Sequence, residues 1–452
     1  MTIMKKILIV MTVVFFASCG NDLDIKPTTS VDATTAKKSV NLLLTGAYSL
    51  IGSGGIAAQT GALYSTDLLL NADLLASENY MQWKGTFNQY NEISKKAISA
   101  TNSSVTRMWR KGYAAINQAN TILESLTGVK ESERNYYRGQ ALFIRGIMHF
   151  ELMRFWAEPS TGLAVPLMTK AVQDYSEIQF PARATIADVY TSVIADLTEA
   201  KTLLAGSTNL ANSYTVAAFL ARVYLQKGDY ANALTQANDV IQNGGYELPA
   251  SVEEAFNGTS SETIFEIEQT VINNAGAQND GLTTFYSCDP NTPGSSGRGD
   301  VGILPAFLSR YEPADLRLNA LIYEGSCNKG SVTSAKWKDP YANIPVVRLS
   351  EMYLIRAEAN QRLGSAVGDT PLNDVNAIRG KAGASLYAVV TLNDILNERE
   401  LELAFEGQRI HDYKRLGKII GSTDYKAAKF VFPIPQTDIN TNPNLVQNSY
   451  YQ

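Results

Sequence analysis

Residues 217–241 read AAFLARVYLQKGDYANALTQANDVI. Ala217, Leu220, Ala221 and Tyr224 recur at spacings of three and four, which puts them on one face of a helix. Tyr230, Ala233, Ala237, Val240 and Ile241 mark the face of a second helix. Between them the Lys227-Gly228-Asp229-Tyr230 segment breaks the pattern and makes the hinge. Small alanines on facing helices permit close approach, so each helix can hide its apolar face against the other.

A pair of this kind is the unit of a tetratricopeptide array, in which neighbouring pairs complete one another's core. The chain offers more of them. Val105 to Leu126 and Glu131 to Trp156 read as an antiparallel hairpin, and Thr185 with Asp188 forms a capping box at the start of a helix reaching Leu204. Met352, Ile355, Ala359 and Leu363 precede Gly364, and Leu372 to Lys381 follow Asp369. Repeat units are therefore expected near 105–156, 185–243 and 350–381, within a mostly α fold. They are not contiguous: residues near 244–349 are rich in Gly, Pro, Ser and Asn, with one expected strand at Thr263 to Glu268. Loops of that length usually have a purpose.

The amino terminus has three zones. Lys5 and Lys6 precede an apolar run from Ile7 to Ala17, interrupted only by Thr12 and ending in Ala17-Ser18-Cys19. The run is shorter than the roughly 20 residues a spanning helix needs, which favours a cleaved export signal over 1–18. The segment resembles a bacterial lipobox, with Phe16 where an aliphatic residue is usual, and implies that Cys19 carries lipid. Each buried acyl methylene contributes about 0.8 kcal/mol toward holding the chain on a lipid bilayer. A polar tether over 19–35 would lead to a domain over 36–452.

Loss of Lys5 and Lys6 with the signal would move the formal charge from −5 to −7. A mildly acidic chain with two histidines gives no basis for a nucleic-acid partner. His149 and His411, with Cys288 and Cys327, make no familiar zinc spacing, so no metal is expected. Cys288 and Cys327 lie in Gly/Ser/Asn-rich surroundings and are candidates for a disulfide bracing that region.

At the carboxyl end the run LNDILNERELELAFEGQRIHDYKRLG, residues 392–417, resembles the signature of the SusD/RagB family. So do Phe432-Pro-Ile-Pro-Gln436 and the segment from Asn442 to Tyr450. The resemblance implies a SusD-like tetratricopeptide scaffold with an irregular, loop-rich ligand-binding region. It also implies an outer-membrane lipoprotein that faces the cell exterior, captures an oligosaccharide or related nutrient and delivers it to a TonB-dependent transporter. The alternative is a scaffold that binds peptides or proteins along its helical repeats.

No cofactor motif and no enzymatic signature stands out: there is neither a Gly-x-Ser-x-Gly elbow nor a phosphate loop ending in Gly-Lys. Glu398, Glu402 and Glu406 recur every four residues, close enough for a glycosidase-like pair. They share their segment with Arg399, Arg409 and Arg415, and an ion network fixing the terminal helices is the more economical reading. Sugar rings have apolar faces and hydroxyl-rich edges, so a sugar site needs flat aromatics beside amides and carboxylates. Tyr80, Trp83, Tyr286, Tyr311 and Trp337 fall outside the helical periodicity and are the ligand-contact candidates, with Trp83 and Trp337 foremost.

Overall fold

The computed structural model describes residues 39–52, 63–270, 274–275, 280–288, 297–323 and 332–452. Cys19, the signal, the tether and Cys327 lie outside them. In chain order come α1 (Val40–Ile51), a π-helical turn (Leu63–Asp67) running into α2 (Leu68–Leu75), β1 (Met81–Trp83), α3 (Asn88–Lys95), α4 (Ser103–Glu124), α5 (Glu131–Trp156), α6 (Ile186–Leu203), α7 (Ser213–Lys227) and α8 (Tyr230–Asn243). The middle of the chain holds β2 (Thr263–Ile267), α9 (Leu282–Tyr286), β3 (Val301–Ile303), α10 (Pro305–Leu308), α11 (Leu316–Ala320), β4 (Ile322–Tyr323), β5 (Thr333–Ser334) and β6 (Ile344–Arg348). The chain closes with α12 (Leu349–Leu363), α13 (Pro371–Lys381), α14 (Leu392–Glu402), α15 (Arg409–Leu416) and α16 (Gln436–Thr441).

The turn at residues 227–230 has a simple cause. Gly228 ends α7 in the left-handed region at φ +82°, and the Asp229 side chain accepts from the Asn232 N–H to cap α8. Asn102, Thr185, Asn212, Thr370 and Thr391 cap α4, α6, α7, α13 and α14 in the same way. The interhelical faces carry small residues: Ala217, Ala221, Ala233 and Ala237 are fully buried. Gly139 on α5 is needed for close approach, since a Cβ there would stand 2.7 Å from Leu204.

The helices stack in order, α4 on α5, α5 on α6, α6 on α7, α7 on α8, with α1 against α4. α8 then packs directly on α12, and α12 on α13. The segment that carries β2 to β6 is therefore an insertion between two helices that are neighbours in space. Its strands, joined by β1 from between α2 and α3, form three two-stranded antiparallel ribbons, β1 with β3, β2 with β6 and β4 with β5. Among the described residues no helix is long and apolar enough to cross a membrane.

Candidate functional site

Tyr80, Tyr286, Tyr311 and Trp337 are 1, 0, 7 and 4 % exposed, which places them in the core and corrects the expectation of an open aromatic surface. Each has its polar tip satisfied inside the protein, as a buried tyrosine or tryptophan requires. The Tyr80 ring stacks on Phe405 at 5.0 Å, and its hydroxyl accepts the Phe405 N–H. Trp337 donates its indole N–H to the Phe405 carbonyl at 3.1 Å, and Tyr311 donates to the Leu401 carbonyl at 3.0 Å. Tyr286 donates to Asp73 Oδ2 at 2.7 Å. Tyr311 and Trp337 fasten the insertion to the segment around Phe405, Tyr286 ties it to α2, and Tyr80 brings the segment before β1 to the same point.

Trp83 differs. It ends β1, opposite Val301 of β3, and is half-buried. Its ring lies 5.2 Å from Tyr90 and 5.7 Å from Phe285, and Phe87, also half-buried, joins the same group. Gly85 makes room for the indole: a Cβ there would stand 2.3 Å from Trp83 Cζ2. The indole N–H has no acceptor among the described residues. Arg298 sits over Phe87 at 4.8 Å and over Phe285 at 5.4 Å, while Asp300 Oδ2 accepts from it at 2.7 and 3.0 Å. A carboxylate thus holds the guanidinium over the rings.

The floor of this group is rigid. The Tyr90 hydroxyl meets Asp67 and accepts from Arg107 at 3.1 Å, and Arg107 makes two bonds to Asp67 at 2.7 and 2.8 Å. Gln82 and Asn88 are exposed at its edge in sequence. The arrangement offers half-open aromatic faces, a fixed cation and nearby amides, which suits a ring-stacking ligand with polar edges. Phe87, Phe285 and Arg298 were not legible as site residues. The one available signal was Arg298 between Gly297 and Gly299, where Gly297 packs so closely on the Ser287 carbonyl that a Cβ would stand 2.2 Å from it.

The three carboxylates of the carboxyl-terminal run are fully engaged by cations. Glu398 pairs with Arg317 at 2.7 Å and Arg379 at 2.9 Å. Glu402 pairs with Lys381 at 2.9 Å, Arg317 at 3.1 Å and Arg348 at 3.2 Å, and Glu406 with Lys336 at 2.7 Å and Arg348 at 2.8 Å. Burial alone would raise the Glu402 pKa, but Lys381, Arg348, Arg317 and Lys336 hold it well below the usual carboxylate range. A glycosidase acid needs the opposite shift. His149 is also structural: its Nε2 accepts the Met168 N–H at 3.2 Å, and burial pushes its pKa down to about 3. Among the described residues no His, Cys, Asp and Glu cluster has the makings of a metal site.

Cys288 is buried and disulfide-bonded.

Residues 23–225 match a family model described as "SusD-like_3: Starch-binding associating with outer membrane", and residues 323–430 match one described as "SusD family". The chain is 25 % identical to SusD-like protein P2 of Formosa agariphila, covering 86 % of this chain and 88 % of that one. It is 24 % identical to the starch-binding protein SusD of Bacteroides thetaiotaomicron, covering 96 % of each. The fold superposes on the crystal structure of a SusD superfamily protein from Bacteroides thetaiotaomicron with a TM-score of 0.79 at 26 % identity, over 91 % of this chain and 99 % of that one. Two related models that together match more than half of the sequence, and one shared architecture from α1 to the carboxyl-terminal signature, have a single explanation: the chain belongs to the SusD/RagB family.

Proposed function

We propose that residues 36–452 act as one glycan-capture domain, held to the outer membrane by lipid on Cys19, that binds an oligosaccharide at the Trp83 face and delivers it to a TonB-dependent transporter. The outer-membrane location facing the cell exterior and the non-catalytic character follow from the family. The observation that carries the ligand reading is the half-buried pair Trp83 and Phe87, backed by the fully buried rings of Tyr90 and Phe285 and covered in part by Arg298, outside the helical stack. The starch-binding relative supports the same class of ligand. A peptide groove along the repeats has less to work with, because the alanine faces of α7 and α8 are consumed by packing.

Trp83→Ala is the direct test, made after a ligand is found in a screen of glycans and peptides. Affinity should fall while the unfolding transition stays in place. By analogy with aromatic stacking on nucleobases the loss should be about 1–3 kcal/mol. Wild-type affinity in a normally folded Trp83→Ala protein would remove the platform from the proposal.

A further inference from the structure

A second concavity lies away from the Trp83 face and shares none of its side chains. It opens between α1, the α6–α7 loop and β2, with a volume of about 690 Å³. That is within the range of about 300–1,000 Å³ typical of small-molecule sites. Tyr48 and Tyr246 line it, and both are tethered at their hydroxyls: Tyr48 bonds Gln140 and accepts the Ala211 N–H at 3.3 Å, and Tyr246 accepts from Asn212 Nδ2 at 3.5 Å. Ser49, Thr259 and Thr263 also line it, and their hydroxyls have no hydrogen-bond partner among the described residues.

Two features argue against a passive surface hollow. Leu210 sits on the rim with 53 % of its surface exposed and its backbone at φ +55°, a left-handed conformation that costs energy for a leucine. The fold holds an apolar side chain in water at the mouth of a hydroxyl-lined groove. The electrostatics then select among ligands. Glu266 and Glu268 line the groove, and no lysine or arginine does so among the described residues. An anionic ligand would meet two carboxylates and no countercharge. A neutral polyhydroxylated one would find hydroxyl and carboxylate partners for its edges and tyrosine and leucine carbon for its faces.

We propose that this groove is a second carbohydrate site, taking a short neutral oligosaccharide independently of the Trp83 face. The choice of a carbohydrate rests on the glycan reading above; the location does not. Such a site would let one molecule hold two stretches of a glycan, or two chains, and raise effective affinity without new contacts at the first site.

The experiment is calorimetric titration of the folded protein with a panel of neutral oligosaccharides comprising maltoheptaose, laminariheptaose and cello-, xylo- and manno-oligomers. Wild type is compared with Trp83→Ala, with Ser49→Trp to fill the groove, and with Tyr246→Ala to remove a wall. Thermal unfolding confirms that each variant is folded. The inference expects two binding events per chain. Ser49→Trp and Tyr246→Ala should weaken one of them by about tenfold or more, and the event that survives in Trp83→Ala should be the one they abolish. Binding that persists in Trp83→Ala and disappears in Ser49→Trp supports the groove and removes the Trp83 platform. Binding lost in Trp83→Ala and untouched by both groove variants overturns the groove and leaves the first reading standing. Binding unaffected by all three variants, or no binding to the panel by wild type, overturns both.

Discussion

Replacing Glu402 with Gln keeps the shape of the side chain and removes one charge from the buried network that joins α14 to the insertion. Three cations meet that carboxylate: Lys381 at 2.9 Å, Arg317 at 3.1 Å and Arg348 at 3.2 Å. Breaking a buried pair typically costs about 3–5 kcal/mol, much of it from the charge left uncompensated. Here the remaining cations keep other partners. Arg317 retains Asp315 and Glu398, Arg348 retains Glu262 and Glu406, and Lys381 retains Glu262. The cost should therefore lie at the low end, about 3 kcal/mol. Urea denaturation at pH 7 measures it, with the exposed Glu133→Gln as a control expected within about 0.5 kcal/mol of wild type. The pH dependence is a second readout. Because the network holds Glu402 well below its ordinary value of 4.5, its contribution is complete above that pH and is lost as the pH falls through the folded value. Wild type should thus lose more stability than Glu402→Gln on acidification below about pH 4.5. Glycan affinity at pH 7 should be unchanged in the folded variant. A Glu402→Gln protein as stable as the Glu133→Gln control would refute the argument that these carboxylates serve the fold.

Asp73 gives the opposite pH dependence. Burial pushes its carboxyl up to about 7 in spite of the Tyr286 hydrogen bond, so wild type should lose about 3 kcal/mol from this group between pH 5 and pH 8, and Asp73→Asn should remove that slope. Ala221→Phe, at a fully buried position between packed helices, should cost about 1–3 kcal/mol by overpacking, measured by denaturation. Nonreducing peptide mapping should find Cys288 joined to Cys327, and the bridge should contribute about 2–4 kcal/mol; two free thiols in native protein would end that proposal. Intact-mass analysis of membrane-derived protein should find Cys19 acylated as the first residue, and Cys19→Ala should release the chain from membranes.

The helical part of the fold was legible because its determinants are local. The face of Ala217, Leu220, Ala221 and Tyr224, the Gly228-Asp229 stop and start, and the Thr185 cap on the Asp188 N–H all act within a few residues of themselves. Trp83 was legible as a candidate for a related reason: a large indole in a short polar segment has no helical face to serve, and of the five named aromatics it is the one left half-buried. Tyr80, Tyr286, Tyr311 and Trp337 met the same test and are nevertheless core. Their burial is set by partners far away in sequence, the Phe405 ring and backbone, the Leu401 carbonyl and Asp73. Absence of periodicity distinguishes a residue outside a helix; it does not distinguish exposed from buried. The Arg298 clamp and the groove beside Tyr48 and Tyr246 were invisible for the same cause, since each joins residues from separate segments that carry no local pattern.

The distribution of these roles explains why the carboxyl-terminal signature names the family without naming the ligand. Glu398, Glu402 and Glu406 are saturated by arginines and lysines, and Phe405 is the point at which Tyr80 and Trp337 are fixed. The signature thus closes the insertion onto the helical stack. The side chains proposed to meet a sugar come from β1, the turn into α3 and the segment before β3, or from α1, β2 and the loops around it, and none belongs to the signature. A chain can therefore keep every residue of that lock and exchange its binding surface freely. A graft of the Trp83, Phe87 and Arg298 side chains onto a relative of different specificity should leave its stability intact while changing the glycans it retains; a graft that changes stability alone would place those residues with the lock.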